Sequence, residues 1–434
     1  MSTLSRLKRL SKNNEGVDDI LPSSNALKVR NGLSALFERH GAIVKDKSAQ
    51  PPRNLNGKPM DLCELPGAVE VENSFGKHII ISRRFPCFHR HGNRILGDIR
   101  HIDMNLLALL ANAPAISSLQ YNNALFLDTE TTGLAGGTGT FIFLTGLGWF
   151  EEDDFIIQQI FARDFSEERS ALATLQKIVT GKELLVSFNG KAFDVSLLTA
   201  RFILNRLECP LNEMPHLDLL PPARSLLKHR LDDRRLGNIE QVVLGIRRTG
   251  DISGMEIPQR YFDWLRQRDA RLMEDVLNHN SLDVLSLAVL ASHFSELLGE
   301  HHNACIPEDR LAAGYFCLLR GEEQRAENLL KPLVENSHAD ISRKARLHLS
   351  LIYKRQNRWA EAVNIWERMV SDEPGDVFAR VELAKWLEHR IGDMQKAKIH
   401  IESSLSRDLS ICETEKNSLL LRLRRLDKRL SRNK

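Results

Sequence analysis

The sequence predicts a mixed α/β sheet with flanking helices, followed by an all-helical C-terminal segment. Two stretches predict it. Between residues 121 and 190 three strand-like runs, NALFLDTE, FIFLTGLGWF and DFIIQQIFA, follow one another across glycine-rich or acidic turns. The helix-spaced ERSALATLQKIV, a fourth apolar run ELLVSFN and the helical DVSLLTARFILNRL come next, an alternation that belongs to a layered α/β domain. From residue 308 onward the apolar spacing is helical and repeats itself.

Each segment can be taken in order. Residues 1–120 read as an irregular leader with polar, proline-bearing stretches such as KDKSAQPPRNLNGKP. A small β-rich section, VEVENSFGKHIIISRRF, spans residues 69–85. Residues 121–300 form the α/β domain, closed by a long helix expected from Asp269 to Leu298. In residues 308–434, Ala326, Ala362 and Ala397 fall into register roughly 35 residues apart, near the ~34-residue period of paired-helix tetratricopeptide repeats. Tyr353, Trp359 and Pro374 fit the middle unit.

Composition narrows the function classes. With 434 residues, 42% hydrophobic and 27% charged, the chain has room for two or three globular domains. Its 60 basic and 57 acidic residues nearly cancel, so any polyanion partner must be recognised through local charge. Six cysteines without a CxxC pair argue against a disulfide framework or ribbon-type zinc site, and a reducing cytoplasm fits. The basic start lacks an apolar core, and no stretch approaches the ~18 apolar residues of a membrane span. A cytoplasmic protein without membrane contact is expected.

The strand FLDTETTGL ends in two acids one residue apart. Side chains alternate along a strand, so Asp128 and Glu130 share one face while Leu127 and Thr129 take the other. Adjacent carboxylates repel, and a hard divalent cation such as Mg²⁺ or Mn²⁺ removes the repulsion. A third acid, Asp194, stands where the run ELLVSFN gives way to a helix, either capping that helix or joining the first two. A fourth, Asp283, lies on a helix with His279 four residues earlier on the same face.

DTE at 128–130, NGKAFD at 189–194 and HNSLD at 279–283 resemble, in order and in structural setting, the three motifs of the DEDD exonucleases of the ribonuclease H-like superfamily. The stretches HLDLLPPAR, LGNIEQVVLGIRRTGDISG and IPQRYFDWLR are similar to its bacterial YprB-type branch, in which such a domain recurs beside tetratricopeptide repeats. The resemblance covers about residues 124–295. It implies that Asp128, Glu130, Asp194 and Asp283 hold two divalent ions, Mg²⁺ or Mn²⁺, and that His279 activates the attacking water. The HxxxD interval is that of the tyrosine subclass occupied by histidine. Asn280 lies within the motif and could orient water or a ligand.

The implied reaction is metal-dependent hydrolysis of nucleic-acid phosphodiesters, from a 3′ end if the resemblance extends that far. Substrate contacts are expected from Thr131, Asn189 and Asn280, and from Arg234 and Arg235 in the basic run PARSLLKHRLDDRRLGNIEQVVLGIRRTG, which could wall a groove or be a solvated face. The basic C-terminal LRLRRLDKRLSRNK could add nucleic-acid affinity or only solubility. AGGTGT at 135–140 lacks phosphate-loop spacing and reads as a hairpin. Cys87, His89 and His91 offer zinc ligands without a fourth, and so do His301, His302 and Cys305. The helical repeats would dock a protein partner, and the alternative to an enzyme is an adaptor that has kept an exonuclease fold.

Overall fold

The computed structural model describes residues 57–133, 139–299, 306–407 and 413–432. The leader before residue 57, most of AGGTGT and the group His301, His302 and Cys305 lie outside them.

The hairpin β1 (Ala68–Asn73) and β2 (Gly76–Pro86) turns through residues 74 and 75. A short ribbon, β3 (Arg90–His91) with β4 (Arg94–Ile95), precedes helix α1 (Met104–Ala111). Then come β5 (Ala124–Thr131), β6 (Ile142–Glu151), β7 (Asp154–Phe161), α2 (Glu168–Val179), β8 (Leu184–Ser187), α3 (Asp194–Leu204) and β9 (His216–Asp218). The sheet order is β1-β2-β7-β6-β5-β8-β9, with β5, β8 and β9 parallel and the remaining neighbours antiparallel. The β-rich stretch of the N-terminal region is therefore part of the same sheet, because β2 pairs with β7 along eight residues from Ile79 to Pro86. Arg84 and Phe85 meet Ile156 and Phe155 there, a pairing no local pattern encodes.

Strand β5 lies inside the sheet, and Ala124–Leu127 are buried on both faces. That is why it reads as an unbroken apolar run rather than an alternation. After α4 (Leu220–Leu226) and α5 (Ile257–Gln267), the long helix α6 (Glu274–Leu298) crosses the sheet. It begins later than the apolar spacing predicts. The Asp269 side chain accepts from the Arg271 amide and caps a separate short turn, Ala270–Leu272. Contrary to the sequence reading, α6 is long and apolar enough to cross a membrane, yet 83% of the qualifying window is buried inside the protein, as befits a core helix.

Two glycines let α6 lie on the sheet. A Cβ on Gly146 would sit 2.2 Å from Asn280 Oδ1, and one on Gly148 would sit 2.5 Å from a Val284 methyl. Both glycines point from β6 toward the same helix, so the spacing GLG in a strand marks close backbone approach.

The C-terminal segment is an array of helices: α7 (Pro307–Leu319), α8 (Glu323–Leu330), α9 (Ala339–Arg355), α10 (Trp359–Asp372), α11 (Val377–Trp386), α12 (Met394–Arg407) and α13 (Glu413–Arg432). Ala326, Ala362 and Ala397 are fully buried on α8, α10 and α12. Five positions before each stands a left-handed residue, Gly321, Asn357 or Gly392, that ends the preceding helix. The buried core runs without a break from the sheet into this array, from Phe126 through Phe294 to Trp366.

Candidate active site

The acids gather at the C-terminal end of β5. Asp128 and Glu130 point to one side and are half-buried, and Leu127 and Thr129 are buried on the other, as the alternation requires. The β5–β6 register shifts between Glu130 and Thr131, an irregularity at the point where the acids emerge.

Asp128 is held from α6. The fully buried Asn280 donates from Nδ2 to Asp128 Oδ2 at 2.8 Å, and its Oδ1 accepts from Gln159 Nε2 at 2.8 Å. Gln159 also donates to the Leu277 carbonyl at 2.8 Å, which ties β7, α6 and the first acid together. Asn280, expected from the sequence to meet substrate, has no exposed surface and bonds Asp128 instead. Glu130 makes no side-chain hydrogen bond among the described residues.

Asp194 is the first residue of α3 and does not cap it. Its Oδ1 accepts from the Thr129 hydroxyl at 2.5 Å, so it reaches β5 through the residue between the other two acids. Gly190 makes room: a Cβ there would stand 2.3 Å from Ser187 Oγ. The turn before α3 is fixed by Asp218 at the end of β9, whose carboxylate accepts from the amides of Asn189, Lys191 and Leu220 at 2.7, 3.1 and 3.0 Å. Asn189 itself is exposed at a φ of 67°.

On α6, His279 and Asp283 share a face, with Nε2 and Oδ2 3.7 Å apart. The sequence reading did not single out what lies opposite them. Arg248 donates to Asp283 at 2.5 Å and to Asp251 at 3.1 Å, and it also bonds the buried Glu240. His279 Nδ1 lies 3.0 Å from both Asp251 oxygens.

The electrostatics are those of too many carboxylates in too little water. Burial first, then the fields of Asp283, Glu130 and Asp194, hold the Asp128 carboxyl well above the usual range, against the Asn280 hydrogen bond. Burial also pushes Glu130 up to about 8, with His279 opposing and Asp283 and Asp194 adding to the rise. Asp194 rises to about 6 through burial, restrained by the Thr129 hydroxyl. For His279 burial works against the charge, but the Asp251 hydrogen bond and the fields of Asp283 and Glu130 outweigh it and raise the imidazole to about 9. His279 is thus bonded to Asp251 through Nδ1 and stands beside Asp283.

A family model for the RNase_H superfamily matches residues 125–295, from β5 to the last turn of α6. The chain is also 36% identical, over 355 residues, to the uncharacterized protein YprB of Bacillus subtilis (strain 168). That alignment covers 80% of this chain and 85% of that one. The chain belongs to the family of YprB and carries an RNase H superfamily domain. The superfamily domain is thus the segment that carries all four acids.

The remaining expectations divide. Thr131, expected from the sequence to contact substrate, is buried, and its hydroxyl donates to the Gly133 carbonyl at 2.9 Å. The basic run of residues 222–250 is not one surface. Arg230 pairs with the buried Asp309 of α7 at 2.8 Å, and Lys228 lies over the Tyr315 ring, so these two dock the helical array. Arg234 donates to the Asp232 carbonyl and Arg235 pairs with Asp233, both locally in the turn and outside the acid network. Only Arg248 enters that network. In α13, Arg422, Arg425 and Arg429 all converge on the buried Glu388, which accounts for much of the basic C-terminal helix structurally.

Proposed function

We propose that the chain hydrolyses nucleic-acid phosphodiester bonds with divalent metal ions, two Mg²⁺ or Mn²⁺, acting from the 3′ end as DEDD exonucleases do. The observation that carries this reading is the crowding of carboxylates around Asp128 and Glu130, a set of mutually repelling oxygen donors whose charge a divalent cation would neutralise.

The donor set fits a hard cation. Glu130 has no hydrogen-bond partner among the described residues and Asp128 uses one oxygen on Asn280. Asp194 and Asp283 are the further oxygen donors, each now bonded to Thr129 or Arg248. Among the described residues, no three His, Cys, Asp or Glu side chains already converge on one point, so full ligation requires these two to turn. A bound divalent ion would supply charge for the developing phosphorane and lower the pKa of a water. Within the chain, Asn280 fixes Asp128, Thr129 fixes Asp194, and charged His279 with Arg248 offsets negative charge beside the reacting phosphate.

The helical array, in register with tetratricopeptide repeats, is read as a docking platform for a protein partner, and the protein as cytoplasmic. Cleavage of 5′-labelled single-stranded and duplex DNA and RNA with Mn²⁺, Mg²⁺ or chelator tests the enzyme reading. A metal-dependent ladder shortening from the 3′ end, absent in Asp128→Asn, is expected. No cleavage of any substrate by folded protein that has bound metal would leave an adaptor with a nuclease fold.

A further inference from the structure

A cleft of about 390 Å³ opens against α6. Its wall includes Arg83 and Phe85 of β2, His89, the 247–251 loop and the α6 residues Asn278, Leu282 and Leu285. Arg83, Phe85, His89 and His91 come from before the residues matched by the superfamily model, and the rest of the lining lies within them. Arg248 and Asp251 belong to this wall while bonding Asp283 and His279, so the cleft and the acid centre share a side. Along α6, Asn278 and Asp283 are about 7.5 Å apart.

The charge in this wall is unbalanced in one respect. Arg83 is half-buried, and its described side-chain partner is the neutral carboxamide of Asn278, at 2.8 Å. Burial lowers its pKa with no carboxylate acting to restore it. Arg247 stands exposed at the mouth with no carboxylate on it among the described residues. Asp251 is engaged by His279 and Arg248, which leaves Asp275 as the other acid of the wall. A partly desolvated guanidinium without a counter-charge is costly unless an anion arrives to meet it.

Beside the two arginines lies an aromatic pair. The Phe85 and His89 rings meet edge-on with centroids 5.0 Å apart, and Leu282 and Leu285 complete an apolar floor. His91, read from sequence as a possible zinc ligand, faces Ser286 at 2.8 Å and is kept neutral by burial, its pKa near 4. Anion-seeking guanidinium groups next to an aromatic and aliphatic floor match a phosphate followed by the face of a base. A duplex offers its phosphates but keeps its base faces stacked.

We propose that this cleft binds an unpaired nucleotide strand, with Arg83 and Arg247 on its phosphates and a base against Phe85 and His89, and that it leads the strand to the acid centre. The proposal rests on the hydrolase reading of that centre, and it names the single strand as the substrate class.

The test uses the full chain and a fluorescein-labelled oligo(dT) or oligo(U) of roughly 20 nucleotides, longer than one such site. Binding is followed by anisotropy in chelator across a salt series, with the matching duplex beside it. The double variant Arg83→Gln, Arg247→Gln should bind the single strand about tenfold more weakly. Its log–log salt slope should be shallower by about 1.4, as for two lost phosphate contacts. Arg84→Gln is the control, since Arg84 lies on the same strand but pairs with Glu151 and Asp154; it should bind as the wild type does. Mn²⁺-dependent cleavage of a dinucleotide is followed in parallel, as a readout of the acid centre itself. If the double variant binds the strand as tightly as wild type while cleavage persists, the cleft is not the strand's seat and the hydrolase reading stands. Tighter binding of duplex overturns the single-strand assignment. If wild type neither binds nor cleaves any of these probes, the hydrolase reading falls and the cleft's role falls with it.

Discussion

Two sets of buried acids in this chain have opposite fates. In the helical array each buried carboxylate is matched: Glu327 by Lys331 and Arg358, Glu382 by Lys354 and Lys385, and Glu388 by three arginines of α13. Although burial pushes the other way, these cations hold the Glu327 and Glu382 carboxyls below their usual range. At the end of β5 the carboxylates outnumber Arg248 and His279, and Asp128, Glu130 and Asp194 all rise. The same residue type thus joins helices where cations match it and stays crowded, with raised pKa values, where they do not.

The largest effect that separates the two sets is expected from Asp128→Asn. It should lower metal-dependent cleavage at least about 10²-fold, while the melting temperature in chelator stays level or rises because a repulsion has gone. A fall in stability with cleavage retained would mean that Asp128 is structural. The converse substitution is Glu388→Gln, which strands three arginines and should cost about 3 kcal/mol in urea unfolding, with cleavage unchanged.

Gly146→Ala couples the sheet to the centre. The new methyl meets Asn280, the holder of Asp128, so overpacking of about 1–3 kcal/mol is expected together with weaker Mn²⁺ binding by calorimetry. Unaltered metal affinity would show that Asn280 does not position the acid.

The pH dependence should also differ. Glu130 keeps its proton to about 8 in the folded chain but releases it near 4.5 when unfolded. Between those values the native state binds more protons, so its contribution falls as pH rises. Glu327, held low, contributes fully above its unfolded value and loses that contribution as pH falls through its folded one. In chelator, therefore, melting temperature should decline from about pH 5 to about pH 8, and added Mn²⁺ should flatten the decline. A profile that Glu130→Gln leaves untouched would assign the decline to other groups. The smallest effect is expected from Arg235→Gln: under about 0.5 kcal/mol for an exposed pair, with cleavage unchanged. A large loss of cleavage would restore the turn at 232–235 to the substrate path.

Much of the centre was legible because its signals are local. A two-residue period put Asp128 and Glu130 on one face, and a four-residue step did the same for His279 and Asp283. Asp194 was found by its junction between strand and helix, though not its bond to Thr129. Gly146 was visible as a glycine inside a strand, and its reason was a helix more than a hundred residues later.

By itself, then, the sequence determined the strand that ends in acids, the α/β alternation around it and the helical character of the C-terminal segment, since each is a period or spacing within a few turns of chain. Only the tertiary structure decided that β1 and β2 extend the sheet, that Asn280 serves Asp128, that Arg248 stands on Asp283 and that Arg83 meets Asn278 across 195 residues. The last three of those contacts depend on how α6 crosses the sheet. The crossing is set by packing against Gly146 and Gly148, and no period in the chain records it.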